Sequence, residues 1–234
     1  MIFRKAILII HGFAGGMYDE ENLAGYLELN RGFDVYQFTL PGHIGKLDKS
    51  TADNWVEASE NKIKWLIDKG YNKIYLIGHS MGGVISSYLA SKYNEVKKLV
   101  LAAPAFHYLS IEGSNINIKE SIKDLPKIIK TYGRDEVIGR ALKTNLVALK
   151  EFMALIRKYY DSPKNVYCDV LIIQGTNDNI VPLTSSKYVY NTIRSKNKKL
   201  IYIDGLTHDL FRNKKQDEVF KLVEIFLKKG VKGL

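Results

Sequence analysis

Residues 73–88 read KIYLIGHSMGGVISSY. A short apolar run at 74–77 has the composition of a β-strand, and a helix-compatible segment continues from Val84. Residues 78–82 between them have the pattern G-x-S-x-G, with Ser80 at the centre. This pattern forms a sharp turn that strains the serine backbone and needs glycine where a Cβ would collide with neighbouring chain. The stretch therefore predicts an exposed serine hydroxyl at a helix N-terminus, where the amide of Met81 and the helix dipole favour negative charge.

Length and composition are those of an ordinary soluble globular protein. The 234 residues suffice for one sizeable α/β domain with a modest insertion. The formal net charge of +10 arises from 35 Lys and Arg against 25 Asp and Glu. These lysines are spread along the chain and not gathered into one stripe, so we expect no nucleic-acid partner.

The cysteine content and the hydropathy pattern bear on compartment. Cys168 is the only cysteine, which excludes an intrachain disulfide and gives no sign of an oxidising compartment. The apolar run at 6–10 is too short for a signal peptide, and no run approaches the roughly 20 apolar residues of a membrane span. We therefore expect a cytoplasmic protein without stable membrane insertion, whose oligomeric state the sequence leaves open.

Short apolar runs alternate with amphipathic stretches along most of the chain. The runs that predict strands are 6–10, 35–40, 74–77, 99–103, 170–173 and 200–203. The predicted helices are 20–29, 54–69, 81–92, 185–194 and 217–229. Strands that are apolar on both faces and alternate with helices predict an α/β fold, with a mostly parallel central sheet of about six strands flanked by helices. In such sheets the functional site lies at the carboxyl ends of the strands.

Residues 105–165 interrupt this alternation. Here the strand signal disappears, and apolar residues recur at helical spacing, at 142, 146, 149, 153 and 156, with a shorter helix predicted at 120–130. We expect a helical cap, inserted after the fourth predicted strand, over a core of residues 1–104 and 166–234. The alternative is that these helices pack on the core and simply close the fold.

Three residue types at the predicted strand ends match a nucleophile, a base and an orienting acid, in the order Ser80, Asp178, His208. A serine hydroxyl needs an imidazole to accept its proton, and the imidazole needs a carboxylate to fix its tautomer. The amides of Phe13 and Met81 are candidates for the two donors of an oxyanion hole. No cofactor or metal is expected, because the chain lacks a metal-binding pattern of His and carboxylates.

Several other residues compete for these roles. Asp204 is the second choice for the acid, since it also follows a predicted strand, and Asp161, Asp169 and Asp209 are weaker rivals. The remaining histidines are interpreted as structural: His11, His43, His79 and His107. For His79, we expect the turn to direct the side chain away from the reaction.

Taken together, these motifs resemble the α/β-hydrolase superfamily, and within it the small bacterial carboxylesterases and monoacylglycerol lipases. The resemblance rests on HGF at 11–13, PGH at 41–43, GHSMGG at 78–83, GTNDNIVP at 175–182 and His208. It covers essentially the whole chain and implies a Ser80 nucleophile, a His208 base, an Asp178 acid and a lid. Two departures, Ile44 after the PGH motif and Leu206-Thr207 before His208, affect loop shape and not a catalytic group.

The resemblance implies a serine carboxylic-ester hydrolase that cleaves short to medium acyl esters through an acyl-enzyme. The expected partner is a small-molecule ester with an apolar acyl or aryl group. A cinnamoyl or feruloyl esterase and a monoacylglycerol lipase are alternatives. A catalytically silent α/β-hydrolase acting as a binding module is the alternative from a different class.

Overall fold

The computed structural model describes residues 5–29, 32–43, 50–108 and 146–234. The strands are β1 (Lys5–Ile10), β2 (Phe33–Gln37), β3 (Ile74–His79), β4 (Val96–Ala102), β5 (Asp169–Gly175) and β6 (Lys198–Ile203). The helices are α1 (Glu21–Glu28), α2 (Ala52–Asp68), α3 (Met81–Lys92), α4 (Leu146–Tyr159), α5 (Leu183–Thr192) and α6 (Gln216–Lys229). Short 3₁₀ turns cover Met17–Asp19, Ser162–Asn165 and Val231–Gly233.

The strands form one sheet in the order β2-β1-β3-β4-β5-β6, and each neighbouring pair is parallel. The predicted parallel sheet of about six strands is therefore confirmed. Because all these strands run in the same direction, the loops that follow β1, β3, β5 and β6 emerge at one edge of the sheet. The candidate residues on those loops are brought to a common side.

Helices cover both faces of the sheet, which explains why its strands are apolar throughout. In β1, Leu8 and Ile10 join a core that contains buried residues of α2, α3, α4 and α5. The alternate residues Ile7 and Ile9 join a second core with α1 and α6. The two layers account for the near-continuous hydrophobic runs of the sequence.

The edge strand β2 differs in position from the prediction, which put it at 35–40. It starts at Phe33, which is buried and pairs with Lys5 of β1. Asp34 interrupts the apolar pattern, but its Oδ2 accepts a hydrogen bond from the Tyr71 hydroxyl at 2.6 Å. A polar residue is accommodated here because β2 lies at the edge of the sheet.

Most of the predicted cap falls outside the described residues, including Leu142 and the helix at 120–130. Helix α4 is described, and it packs on α2 and α3. Phe152 and Leu155 are fully buried in the core on that face. The Glu151 Oε2 atom accepts a hydrogen bond from the amide of Ala52 at 3.0 Å, at the start of α2. The division into core and cap stays a prediction.

Two glycines allow α3 to begin directly against the sheet. A Cβ on Gly82 would overlap the carbonyl oxygen of Ile10 in β1. A Cβ on Gly78 would overlap the carbonyl oxygen of Gly82. Both positions therefore require glycine for steric reasons, as the sequence pattern predicts.

We expect Gly82→Ala to lower the free energy of unfolding by about 3 kcal/mol or more, because backbone must shift to admit the new methyl group. Gly25→Ala is the matched control, since Gly25 is exposed in α1 and its added Cβ would meet nothing within 4 Å. That change should raise the free energy of unfolding by about 0.5–1 kcal/mol. Urea denaturation followed by circular dichroism measures both, and a Gly82→Ala protein as stable as the parent would contradict the close approach.

Candidate active site

Ser80 occupies the turn between β3 and α3 with a strained backbone, at φ 53° and ψ −116°. Its amide donates to the carbonyl of Ala102 at 2.9 Å, and its carbonyl accepts from the amides of Gly83 and Ala105 at 3.0 and 3.1 Å. Its hydroxyl does not cap α3. The surrounding main chain therefore fixes the serine, while its side chain is not used to complete the helix.

The predicted exposure of this serine is wrong, because the residue is only 4% exposed. The loop after β1 covers it, and Gly12 comes so close that an added Cβ would lie 3.2 Å from the Ser80 Cβ. This contact places the start of the predicted oxyanion loop directly beside the serine.

His208 and Asp178 are hydrogen-bonded to each other. The distance between His208 Nδ1 and Asp178 Oδ2 is 2.9 Å, and the two side chains are 6% and 0% exposed. The other carboxylate oxygen, Oδ1, accepts from the amides of Ile180 and Val181 at 3.0 and 2.8 Å. The turn after β5 thus fixes the carboxylate against the imidazole.

The environment of Asp178 favours its charged form. Burial opposes ionisation, but the charge and hydrogen bond of His208, with the amides of Val181 and Ile180, hold the pKa of Asp178 below its ordinary value. An ionised Asp178 keeps a proton on Nδ1 of His208, so that Nε2 is the nitrogen able to accept a proton.

The rival acids make other contacts. The Asp204 Oδ1 atom accepts from the Thr176 hydroxyl at 3.1 Å. Asp161 pairs with Lys164, and Asp169 accepts from Asn197. The structure therefore places Asp178 against His208, whereas Asp204 joins the loops after β5 and β6.

The two predicted oxyanion donors, Phe13 and Met81, each follow a residue of the turn or loop at the serine: Met81 follows Ser80 itself, and Phe13 follows Gly12. Met81 is the first residue of α3, where main-chain N–H groups lack partners within the helix. Phe13 follows Gly12 in the loop beside Ser80. Its ring stacks on Phe152 of α4 at 4.9 Å between centroids and meets the edge of Trp55 at 6.1 Å. Phe13 thus joins the loop after β1 to an aromatic cluster with residues of α2 and α4.

His11 and His43 support the loops after β1 and β2. The Nδ1 atom of His11 lies 2.7 Å from the Gly12 carbonyl, and its Nε2 accepts from the Leu40 amide at 2.9 Å. His43 Nδ1 lies 3.1 Å from the carbonyl of Pro41. These contacts agree with the structural interpretation of both residues.

His107 also makes structural contacts. Its Nε2 lies 2.8 Å from the Tyr160 hydroxyl and its Nδ1 lies 3.2 Å from the Thr184 hydroxyl. It thereby links the segment after β4 to the segment before β5 and to α5.

The expectation that His79 points away from the site is wrong. Its ring lies 5.0 Å from the ring of His208, and its Nε2 is 3.1 Å from the carbonyl oxygen of His208. Its Nδ1 is 3.0 Å from Oε1 of Glu20, a residue that the sequence analysis did not select. Glu20 gave no signal, because a glutamate at a helix start is usually solvated.

Among residues 5–29, 32–43, 50–108 and 146–234, there is no group of three or more His, Cys, Asp and Glu side chains that could hold a metal ion. In the same residues no helix combines the length and apolar character needed to cross a membrane.

A family model described as serine aminopeptidase, S33, matches residues 3–215. The chain is an α/β hydrolase of this family. The hydrolase is 25% identical over 230 residues to a carboxylesterase from Bacillus subtilis (strain 168), covering 96% of this chain and 93% of that protein. It is also 25% identical to a thermostable monoacylglycerol lipase from Bacillus sp. (strain H-257), covering 86% of this chain and 82% of that one.

The fold agrees with a solved structure of a metagenome-derived lipolytic enzyme. The TM-score is 0.76 at 20% sequence identity, over 97% of this hydrolase and 94% of the other chain. The predicted resemblance to α/β hydrolases, and to carboxylesterases and monoacylglycerol lipases within them, is therefore confirmed.

The buried His11 predicts an acid-sensitive contribution to stability in this hydrolase. Burial lowers the pKa of His11 from 6.5 to about 3. As the pH falls from 7 to 5, the unfolded chain gains a proton at His11 that the folded chain does not, which lowers the free energy of unfolding by about 2 kcal/mol. His11→Gln keeps an acceptor for the Leu40 amide and removes this titration.

Urea denaturation of both proteins at pH 7 and pH 5 measures the difference. The parent should lose about 2 kcal/mol more than His11→Gln between the two pH values. Equal losses would contradict a neutral buried His11.

Proposed function

We propose that this hydrolase is a carboxylesterase that cleaves short to medium acyl esters through an acyl-enzyme. The observation that carries the proposal is the buried hydrogen bond between His208 and Asp178 beside the strained turn of Ser80. The similarity of this chain to proteins named carboxylesterase and monoacylglycerol lipase supports the same class of reaction.

The proposed reaction begins with attack by Ser80 Oγ on the ester carbonyl, as Nε2 of His208 takes the hydroxyl proton. The amides of Phe13 and Met81 stabilise the resulting oxyanion, each by about 3 kcal/mol. His208 then gives the proton to the alcohol, which departs, and the acyl group stays bonded to Ser80 Oγ. A water molecule, deprotonated by His208, attacks this acyl-enzyme, and His208 returns that proton to Ser80 Oγ as the carboxylic acid leaves.

Apolar side chains near the proposed oxyanion loop support an apolar acyl or aryl group. Phe13 contacts Phe152 and Trp55, and Tyr108 meets the edge of Phe152 at 4.9 Å between centroids. Such surfaces bind hydrocarbon better than charged groups.

We extend the proposal to the domain organisation, with residues 105–165 as a helical cap on a core of 1–104 and 166–234. A cytoplasmic location and the absence of nucleic-acid partners remain predictions from composition.

The nucleophile is tested by Ser80→Ala with p-nitrophenyl esters of increasing acyl length. We expect kcat to fall by about a millionfold, because the attacking oxygen is removed. A fluorophosphonate probe should label the parent at Ser80 and fail to label the variant. Unchanged thermal unfolding controls for the fold, and retained turnover would place the nucleophile elsewhere.

The same ester series distinguishes the monoacylglycerol lipase, which the Bacillus sp. relative favours as the second candidate. Turnover of short and medium p-nitrophenyl esters supports the carboxylesterase. A strong preference for monoacylglycerols over simple esters of equal chain length supports the lipase. Methyl cinnamate tests the third alternative, because cleavage of this aryl ester alone would support a cinnamoyl or feruloyl esterase.

The acid is tested by Asp178→Asn, with Asp204→Asn as the matched control. We expect kcat to fall by about 10³–10⁴-fold for Asp178→Asn, because an amide no longer fixes the reactive tautomer of His208. Asp204→Asn should retain kcat within about threefold, since its contact is to Thr176. Steady-state kinetics at pH 8 measures both, and the reverse ranking would assign the acid to Asp204.

A further inference from the structure

Glu20 is a buried acid that the proposed reaction does not use. The residue is 0% exposed at the start of α1, and its Oε1 lies 3.0 Å from Nδ1 of His79. Its Oε2 is buried and has no hydrogen-bond partner among the described residues. Removing a carboxylate from water is costly unless its charge is compensated, so its only ion-pair partner among those residues, His79, is essential to it.

The other nitrogen of His79 faces the main chain of His208. Its Nε2 is 3.1 Å from the His208 carbonyl oxygen, which also accepts from the amide of Leu210 at 3.0 Å. A carbonyl oxygen can only accept hydrogen bonds. Nε2 of His79 must therefore carry a proton, and the His208 carbonyl is held by two donors.

Glu20 supplies the reason why His79 keeps its charge. Burial opposes the charge of the ring, but the hydrogen bond and attraction of Glu20 outweigh it and raise the pKa of His79 to about 9. Burial also opposes the charge of Glu20 and raises the pKa of this carboxyl, whereas the hydrogen bond and charge of His79 lower it. A protonated His79 can donate from both nitrogens at once, to Glu20 and to His208.

We propose that Glu20 and His79 are positioning residues that hold the main chain of His208, so that its imidazole meets both Asp178 and Ser80. His208 is then fixed twice, by Asp178 through its ring and by His79 through its carbonyl. The inference deepens the proposed esterase function and rests on it for the kinetic part of its test.

A pH dependence follows from the number of protons on His79. Above pH 9 the ring is neutral and has a single N–H, so it can no longer donate to both acceptors. The other titratable groups that act on the pair are Asp209 and His208 in the loop after β6, Asp19 before α1, and His11 at the end of β1. The parent should therefore lose kcat as the pH rises through about 9.

The first test removes both partners together, because removing one alone would leave a buried charge and could unfold the protein. In Glu20→Leu/His79→Phe, apolar groups of similar size replace the pair, and the His208 carbonyl loses its side-chain donor while the Leu210 amide remains. We expect kcat to fall about tenfold to a hundredfold, with KM within about twofold, because a misplaced base affects the chemical step and not substrate binding.

The second test uses Glu20→Gln, in which the amide can donate to Nδ1 while a neutral His79 donates from Nε2 to His208. This conservative variant should keep kcat at pH 7 within about threefold of the parent and lose the decline near pH 9. Acid release in a pH-stat measures both proteins, since it avoids the ionisation of nitrophenol. A decline near pH 9 that persists in Glu20→Gln overturns the proposal.

A third measurement does not depend on esterase activity. In a Ser80→Ala background, hydrogen exchange of the Leu210 amide reports how firmly the His208 carbonyl is held. We expect exchange about tenfold faster with Glu20→Leu/His79→Phe than without it. The proposal requires both the loss of kcat in the first test and this faster exchange, and an unchanged value of either overturns it. If the parent neither hydrolyses esters nor is labelled at Ser80, the proposed function fails, and the exchange rate alone decides the positioning role.

Arg212→Gln is the matched control. The Arg212 Nη1 atom pairs with Asp19 Oδ1 at 3.0 Å, which ties the same two segments together at an exposed position. Exposed pairs contribute little, so we expect kcat and the Leu210 exchange rate to stay within about twofold of the parent. Losses equal to those of the double variant would attribute the effect to general packing of the loop and overturn the specific role of the buried pair.

Discussion

The close approach of α3 to β1 is the constraint on which the site depends. Gly82 presents no side chain to the carbonyl of Ile10, so the helix can begin against the sheet immediately after Ser80. Because β1 and β3 are neighbours in the sheet, the loop after β1 then lies beside the serine, and Gly12 is so near that an added Cβ would lie 3.2 Å from the Ser80 Cβ. A larger residue at position 82 would move Ser80, the proposed nucleophile, away from the loop that carries the Phe13 amide, even with every functional side chain present.

Burial assigns the histidines of the site to different tasks. His11 lies among main-chain groups and forms no ion pair with a carboxylate of the described residues, so it stays neutral and accepts from Leu40. His79 is equally enclosed but faces Glu20, so it keeps a proton and donates. His208 faces Asp178 through one nitrogen. The same side chain thus acts as acceptor, donor or proposed base according to its nearest acid.

The sequence predicts the parallel sheet and the pairing of His208 with Asp178, because apolar runs, glycines and turn residues carry that information locally. It predicts β2 too close to residue 40, since Asp34 breaks the apolar pattern. The hydrogen bond from Tyr71 explains how a carboxylate is accommodated in this strand. Glu20 and the orientation of His79 escaped prediction for a different reason. Burial of a glutamate depends on segments that are distant in the chain, and the residues next to it in the sequence do not indicate it.

The parallel sheet also decides when the site can form during folding. Each strand pair is parallel, so each requires a connection across the sheet before its hydrogen bonds can form. The serine follows β3, whereas Asp178 and His208 follow β5 and β6. A chain emerging from the ribosome thus contains Ser80, the proposed nucleophile, before the proposed acid and base are made. The proposed triad is therefore complete only after β6, the last strand of the sheet, has been made.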